Sequence, residues 1–227
     1  ERILEELGLI KFFQQYKTFN NFSFDLVGFF RLIVYGRILN PASKFATVNQ
    51  NNRYYDPVLT DFYKYNIYDT LDFIYNYRAN IVNKMNKALL KSFGRTTNCI
   101  YYDCTNFFFE TERPDDDTLD DDGNVIEKGI RKFGVSKEER HLPIVQMGMF
   151  IDEQGIPICI ETFSGNTLDH LTVPESLKNV DDLNYQRYIF VGDRGMYRGN
   201  NSAHLINRNN GYIVSKSKIG RAHVWTP

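Results

Sequence analysis

Apolar residues recur at threes and fours through residues 1–95, and the period then shortens to strand-like alternation. Ile3, Leu4, Leu7 and Ile10 have helical spacing. Phe24–Tyr35 is apolar on nearly all sides, which predicts a buried helix, and Asn40-Pro41 stops it. Thr60 is placed to cap a short helix, and Asp69–Phe93 reads as a longer one. Its apolar positions are Leu71, Ile74, Tyr75, Ile81, Met85, Ala88 and Leu89, and Gly94 ends it. Asn98–Phe109 is β-branched and aromatic, so a strand is expected. Residues 112–143 are polar around Asp115–Gly123 and read as a long loop. Ile144–Ile151 and Ile156–Phe163 read as a hairpin turning at Asp152-Glu-Gln-Gly155. Leu171–Val180 follows as a helix, with Pro174 tolerable in its first turn. Tyr188–Val191 reads as a short buried strand of the parallel kind, Asn200–Asn207 as a helix and Tyr212–Ser215 as a last strand.

The order is helices, then β, loop, β-hairpin, α, β, α, β. Three strands able to pair antiparallel, followed by βα units, is the order of the ribonuclease-H-like fold. The expected class is therefore α/β: a ribonuclease-H-like mixed sheet preceded by an N-terminal helical region, incomplete at its C-terminus. In that fold the fourth strand lies parallel to the first. This adjacency would bring Asp103, within the first strand, beside Asp193, at the end of the fourth.

Hydrophobic content of 42% and charged content of 24% are those of a globular chain. No apolar run approaches a membrane span, so no membrane partner is expected. Cys99, Cys104 and Cys159 form no CxxC pair and read as buried reduced thiols of a cytosolic protein. The four histidines lack zinc-ligand spacing. Walker A, GxGxxG, HExxH and nucleophile-elbow patterns do not occur, which removes the common nucleotide-, zinc- and serine-dependent competitors. Charge is uneven: residues 1–98 carry 13 Lys/Arg against 8 Asp/Glu, residues 99–200 carry 10 against 20, and residues 201–227 carry 4 against none. Basic flanks beside an acidic centre fit nucleic-acid binding around a metal site, and fit an ordinary solvated surface nearly as well.

Two carboxylates closing apolar strands are costly unless something cationic holds them. Mg²⁺ prefers oxygen ligands and keeps several waters, so one or two carboxylates plus phosphate oxygens suffice. Phosphoryl transfer asks the protein mainly for position and electrostatics.

Tyr102-Asp-Cys-Thr-Asn-Phe, Gly134-Val-Ser-Lys-Glu-Glu-Arg, Ile144-Val-Gln-Met-Gly-Met, Gly155-Ile-Pro, Phe163-Ser-Gly-Asn-Thr-Leu-Asp and Val191-Gly-Asp-Arg-Gly stand in that order. Together these blocks resemble a DDE transposase of bacterial insertion sequences, of the insertion-sequence-four type; Arg37-Ile-Leu-Asn-Pro-Ala-Ser-Lys resembles a further block. The resemblance spans residues 1–217. It implies a catalytic domain that cuts and rejoins element ends with Mg²⁺ or Mn²⁺. Asp103 and Asp193 would be its first two catalytic acids and metal ligands. Its partners would be insertion-sequence ends and target DNA, with a homodimer in the synaptic complex, in the cytoplasm and associated with the nucleoid. The third acid, a Glu on a later helix in a Tyr-x-x-Arg-x-x-x-Glu setting, has no counterpart, because no Asp or Glu follows Asp193. The fragment is therefore expected to be inactive. The implied organisation is 1–97 as a helical region that binds DNA or dimerises, and 98–218 as a partial catalytic domain. Ile219–Pro227 matches a translated sequencing adapter, with UGA read as the chain's one Trp, so it is expected to be an artefact. The alternatives are a non-catalytic DNA-binding remnant and a ribonuclease-H-like nuclease.

The remaining candidates have bland readings beside functional ones. Lys132, Lys137 and Arg140 would contact DNA backbone or form an exposed basic turn. Arg194 would sit near substrate phosphate or pair with Asp193. Asn166 and Thr167 would line the site, and Asp169 would cap a helix. The Asp115–Asp122 run reads as a solvated loop without EF-hand spacing, and the Tyr-rich N-terminal stretches as core.

Overall fold

The computed structural model describes residues 1–54, 58–60, 62–135, 139, 141–196 and 198–215. The adapter-like segment, Lys137 and Arg140 lie outside them. The chain forms two compact units, Glu1–Gly94 and Arg95–Pro227.

The first unit is helical: α1 (Arg2–Glu6), α2 (Leu9–Phe19), α3 (Leu26–Leu39), α4 (Lys44–Asn49), a 3₁₀ turn (Asn51–Arg53), α5 (Asn66–Asn76) and α6 (Arg78–Phe93). The periodic run at the N-terminus is broken at Gly8, which takes a left-handed conformation (φ 69°) between α1 and α2. Phe13, Leu26, Phe30 and Phe73 form one core cluster, with the Phe13 and Phe30 rings stacked 4.0 Å apart. Phe29, Leu32, Val48 and Ile67 form a second. α3 contributes to both, as its all-round apolar sequence requires.

Three sequence expectations are corrected in this unit. No helix starts at Thr60; the next begins at Asn66, with Asn66 bonded to Asp69 in its first turn. The long helix expected over Asp69–Phe93 is two, separated at Tyr77, whose backbone (φ −105°, ψ 16°) leaves the helical region. Gly94 does end the second, in the left-handed conformation (φ 63°). Of the tyrosines expected as core, Tyr16, Tyr35, Tyr54 and Tyr77 pack against it, whereas Tyr63 and Tyr65 ahead of α5 and Tyr68 and Tyr75 within it are exposed, α5 turning Ile67, Thr70 and Phe73 inward instead.

The second unit contains β1 (Cys99–Phe108), the small hairpin β2 (Thr118–Leu119) and β3 (Val125–Glu127), then β4 (Ile144–Ile151), β5 (Pro157–Ser164), α7 (Asp169–Asp181), β6 (Ile189–Gly192), a 3₁₀ turn (Arg194–Met196), α8 (Gly199–Asn207) and β7 (Gly211–Val214). Five strands form one sheet in the order β5-β4-β1-β6-β7. β4 is antiparallel to both β1 and β5, while β6 is parallel to β1 and to β7. This is the ribonuclease-H-like mixed sheet that the order of elements implies.

β1 alternates strictly over most of its length. Ile100, Tyr102 and Cys104 are buried on one face, where Tyr102 packs with Phe150 and Phe190 and reaches Thr172 and Ser176 of α7. The Tyr102 and Phe150 rings lie 4.5 Å apart. Tyr101, Asp103, Thr105 and Phe107 occupy the opposite, exposed face. The polar stretch 112–143 is not structureless, because Asp120 accepts the amides of Asp122 and Asn124 and so closes the β2–β3 turn. α7 begins two residues earlier than expected, which leaves Pro174 beyond the first turn. Proline cannot donate to the carbonyl four residues back. That carbonyl, on His170, instead accepts the Asn201 side-chain amide at 3.0 Å, tying α8 to α7.

Arg95 and Asp152 form an ion pair (2.8 Å) with side chains 1% and 0% exposed. Asp152 also accepts the amides of Gln154 and Ile156, so the charge pair fixes the β4–β5 turn.

Candidate metal-dependent active site

Register builds the site. Tyr101 pairs with Val191 and Tyr102 with Gly192 across the parallel β1–β6 ladder. The next step along both chains is Asp103 and Asp193. Neighbouring strands lie about 4.8 Å apart, and side chains at equal height in a parallel pair share a face. Both aspartates are exposed. Each is oriented by a backbone amide: Cys104 N–H donates to Asp103 Oδ1 and Gly195 N–H to Asp193 Oδ1, both at 2.8 Å. Among the described residues, Asp193 Oδ2 has no hydrogen-bond partner.

A third carboxylate, Asp169, which sequence reasoning assigned to a cap, lies near Asp193. Leu168, not Asp169, occupies the N-cap of α7. The Asp169 carboxylate instead accepts a hydrogen bond from Gln146, a residue only 6% exposed. A Cβ added to Gly195 would stand 3.2 Å from Asp193 Oδ1 and 3.4 Å from Asp169 Oδ2, so glycine lets both oxygens flank this turn. The signal available in sequence was the spacing of Asp169 after Gly165-Asn-Thr, and it did not separate a cap from a site-facing acid. Burial, first of all, raises the pKa of the Cys104 thiol; Asp169 and Asp103 both add to the shift, so both fields reach the same strand.

The remaining candidates distribute as follows. Arg194, exposed, begins the 3₁₀ turn after Asp193 and forms no ion pair with it. Asn166 is exposed and accepts the Ser164 hydroxyl (2.9 Å), and the Thr167 amide donates to Ser164 O (2.9 Å). Both belong to the segment that runs from β5 to Asp169, at the same end of the sheet. Lys132 is engaged by the acidic loop: its ammonium lies 2.7 Å from Asp115 O and 2.9 Å from Asp117 Oδ1. Close backbone approach anchors this basic segment beside Gly165. A Cβ on Gly134 would fall 1.8 Å from Gly165 O, and one on Gly165 would fall 2.0 Å from Ile144 O.

The donor set fits a hard divalent cation. Its ligands would be carboxylate oxygens, exposed and already aligned by amides, with room for water and phosphate oxygens to complete the shell. Among the described residues no group of three or more His, Cys, Asp or Glu is arranged to hold an ion alone. Nor, among them, is any helix long and apolar enough to cross a membrane.

No family model matches the chain, and no curated protein matches it. Among solved structures it is similar to the Mos1 transposase paired-end complex with the left transposon end (12% identity, TM-score 0.34, 81% of this chain and 57% of that one). It is also similar to the Mos1 mariner paired-end complex with Mn (12%, TM-score 0.35, 82% and 58%). A pre-cleavage Mos1 transpososome gives 10% identity, TM-score 0.35, 82% and 58%. The chain thus spans less than two thirds of the length of those proteins.

Proposed function

We propose that the chain is part of a DDE transposase of the insertion-sequence-four type, which cuts and rejoins the ends of a mobile element with Mg²⁺ or Mn²⁺. The observation that supports this reading is the parallel β1–β6 register, whose last pair, Tyr102 with Gly192, is followed directly by Asp103 in β1 and by Asp193 just past β6. Asp103 and Asp193 would hold the cation, which when bound supplies activation of the attacking oxygen and neutralisation of phosphate charge. The chain's own part is to fix both carboxylates through Cys104 N–H and Gly195 N–H and to keep the site open to a large substrate. Arg194 stands beside Asp193 where a phosphate would arrive, and Asn166 and Thr167 border the same end of the sheet. Element-end and target DNA would be the partners, with a second copy of the chain in the synaptic assembly. The third acid that the resemblance calls for is not supplied after Asp193, so cleavage by the chain as given is expected to be weak or absent.

Metal binding is therefore the direct test. Mn²⁺ binding followed by electron paramagnetic resonance should weaken at least about tenfold in Asp103→Asn and equally in Asp193→Asn, as removal of one of two charged ligands requires. Equal Mn²⁺ affinity in the parent and both variants would end the proposal.

A further inference from the structure

A cleft of about 420 Å³ opens between the start of α7 and the start of α8, lined by His170 and Pro174 on one side and by Arg198, Gly199 and Asn200 on the other. Its described lining contains two basic side chains and no carboxylate. Arg198 is exposed and forms no ion pair among the described residues. His170 feels it: burial first, and then the Arg198 charge, hold His170 below the ordinary histidine range, while Asp169 opposes this more weakly. The Asp169 carboxylate is itself occupied by Gln146. The walls are also fixed. Asn201, 6% exposed, donates to His170 O (3.0 Å) and Met196 O (3.1 Å), so α7, α8 and the turn after Asp193 are held together at the cleft floor.

An exposed guanidinium with no ion pair among the described residues, on a braced wall whose described lining holds no carboxylate, calls for an anion, and the cleft is far larger than one small ion needs. It opens a few residues beyond Asp193, along the same connection. We infer that this cleft takes a backbone phosphate of the DNA on which the Asp103–Asp193 site acts. The inference rests on the reading of that site as DNA-processing. Arg198 is the principal contact, through a guanidinium that suits phosphate geometry, and His170 and Asn200 complete the lining.

The test uses the full chain and a short fluorescent DNA duplex of arbitrary sequence, titrated between about 50 and 200 mM salt. One phosphate contact contributes about 0.9 to the slope of log K against log salt, which corresponds to about eightfold in affinity at roughly 0.1 M. Arg198→Gln should lower the slope by that amount and weaken binding about eightfold, whatever the sequence. Arg198→Lys should keep most of the slope, and Lys178→Gln, on the exposed face of α7, should keep all of it. Matched thermal melts of the variants show that folding is retained. An Arg198→Gln slope equal to that of the parent would overturn the inference, as would failure of the parent to bind the duplex. Protection by inorganic phosphate without duplex binding would mark a free-anion site and overturn it as well. The two readings separate cleanly. Mn²⁺ binding indifferent to both aspartates, with an intact Arg198 effect, removes the catalytic proposal alone. The reverse pattern removes the cleft alone.

Discussion

Gly148→Ala is expected to be among the most damaging single-methyl changes in the sheet unit. Gly148 lies in β4 opposite Cys104, on the face beneath α7. A methyl there would stand 2.0 Å from Tyr102 Oη and 2.8 Å from Cζ, whereas ordinary contacts begin near 3.4 Å. The ring must withdraw by well over an ångström from a position that is 3% exposed. Its hydroxyl is bonded to Thr172 Oγ1 (2.7 Å) and Ser176 Oγ (3.0 Å), so withdrawal breaks both links to α7. Overpacking costs about 1–3 kcal/mol, and each lost hydrogen bond about 1 kcal/mol. Alanine recovers about 0.5–1 kcal/mol over glycine in a strand. The net destabilisation is about 2–4 kcal/mol. Tyr102→Phe alone should cost about 1–2 kcal/mol, because it leaves two buried hydroxyls short of a partner. Combined with Gly148→Ala it should cost little more than Gly148→Ala alone, because the atom that clashes has gone. Urea unfolding of the four proteins in a double-mutant cycle measures this coupling, expected near 1–2 kcal/mol. Additivity within about 0.5 kcal/mol would refute the packing argument.

Arg95→Leu should destabilise the sheet unit by about 3–5 kcal/mol in the same assay, since it strands the fully buried Asp152 charge. Asn201→Leu leaves the His170 and Met196 carbonyls without their donor and should cost about 2–4 kcal/mol, with far less effect from substitutions at exposed Asn200. In acid, the loop around β2–β3 should loosen first. Arg131, Lys132 and the Asn124 side chain hold Asp115, Asp117 and Asp120, respectively, below the usual carboxylate value of 3.8. Lowered folded pKa values mean that the stabilisation is present above the unfolded value and is lost as pH falls through the folded ones. Amide chemical shifts of Gly129, Arg131 and Asn124 should therefore move below pH 3.8 while those of β7, which holds no carboxylate, stay fixed.

The sheet was legible because β1, β4, β5 and β6 are apolar or β-branched runs separated by turn and helix signals, although only β1 alternates clearly in burial and Ile189 of β6 is exposed. The parallel pairing of β1 with β6 follows once β4 and β5 are read as a hairpin and a helix returns the chain. That was enough to bring Asp103 and Asp193 together in sequence reasoning. Features resting on single long-range contacts were not legible. The placement of Asp169 depends on Gln146, and the cleft at Arg198 depends on Asn201 reaching the carbonyl that Pro174 releases. Helix ends were misjudged where local propensity competed with packing, as at Tyr77 and Leu168. The tyrosines of α5 were misread because aromatic content alone does not tell which face of a helix turns inward.

The two-sided alternation of β1 also governs which length changes the gene can tolerate. Tyr102 and Cys104 anchor one face under α7 while Asp103 stands on the other. Inserting or deleting one residue ahead of Asp103 would turn its carboxylate into the apolar layer and push Tyr102 into solvent. A two-residue change restores the facing and shifts only the height along the strand. Viable homologues should therefore differ in this strand by even steps, with odd steps confined to the connections on either side.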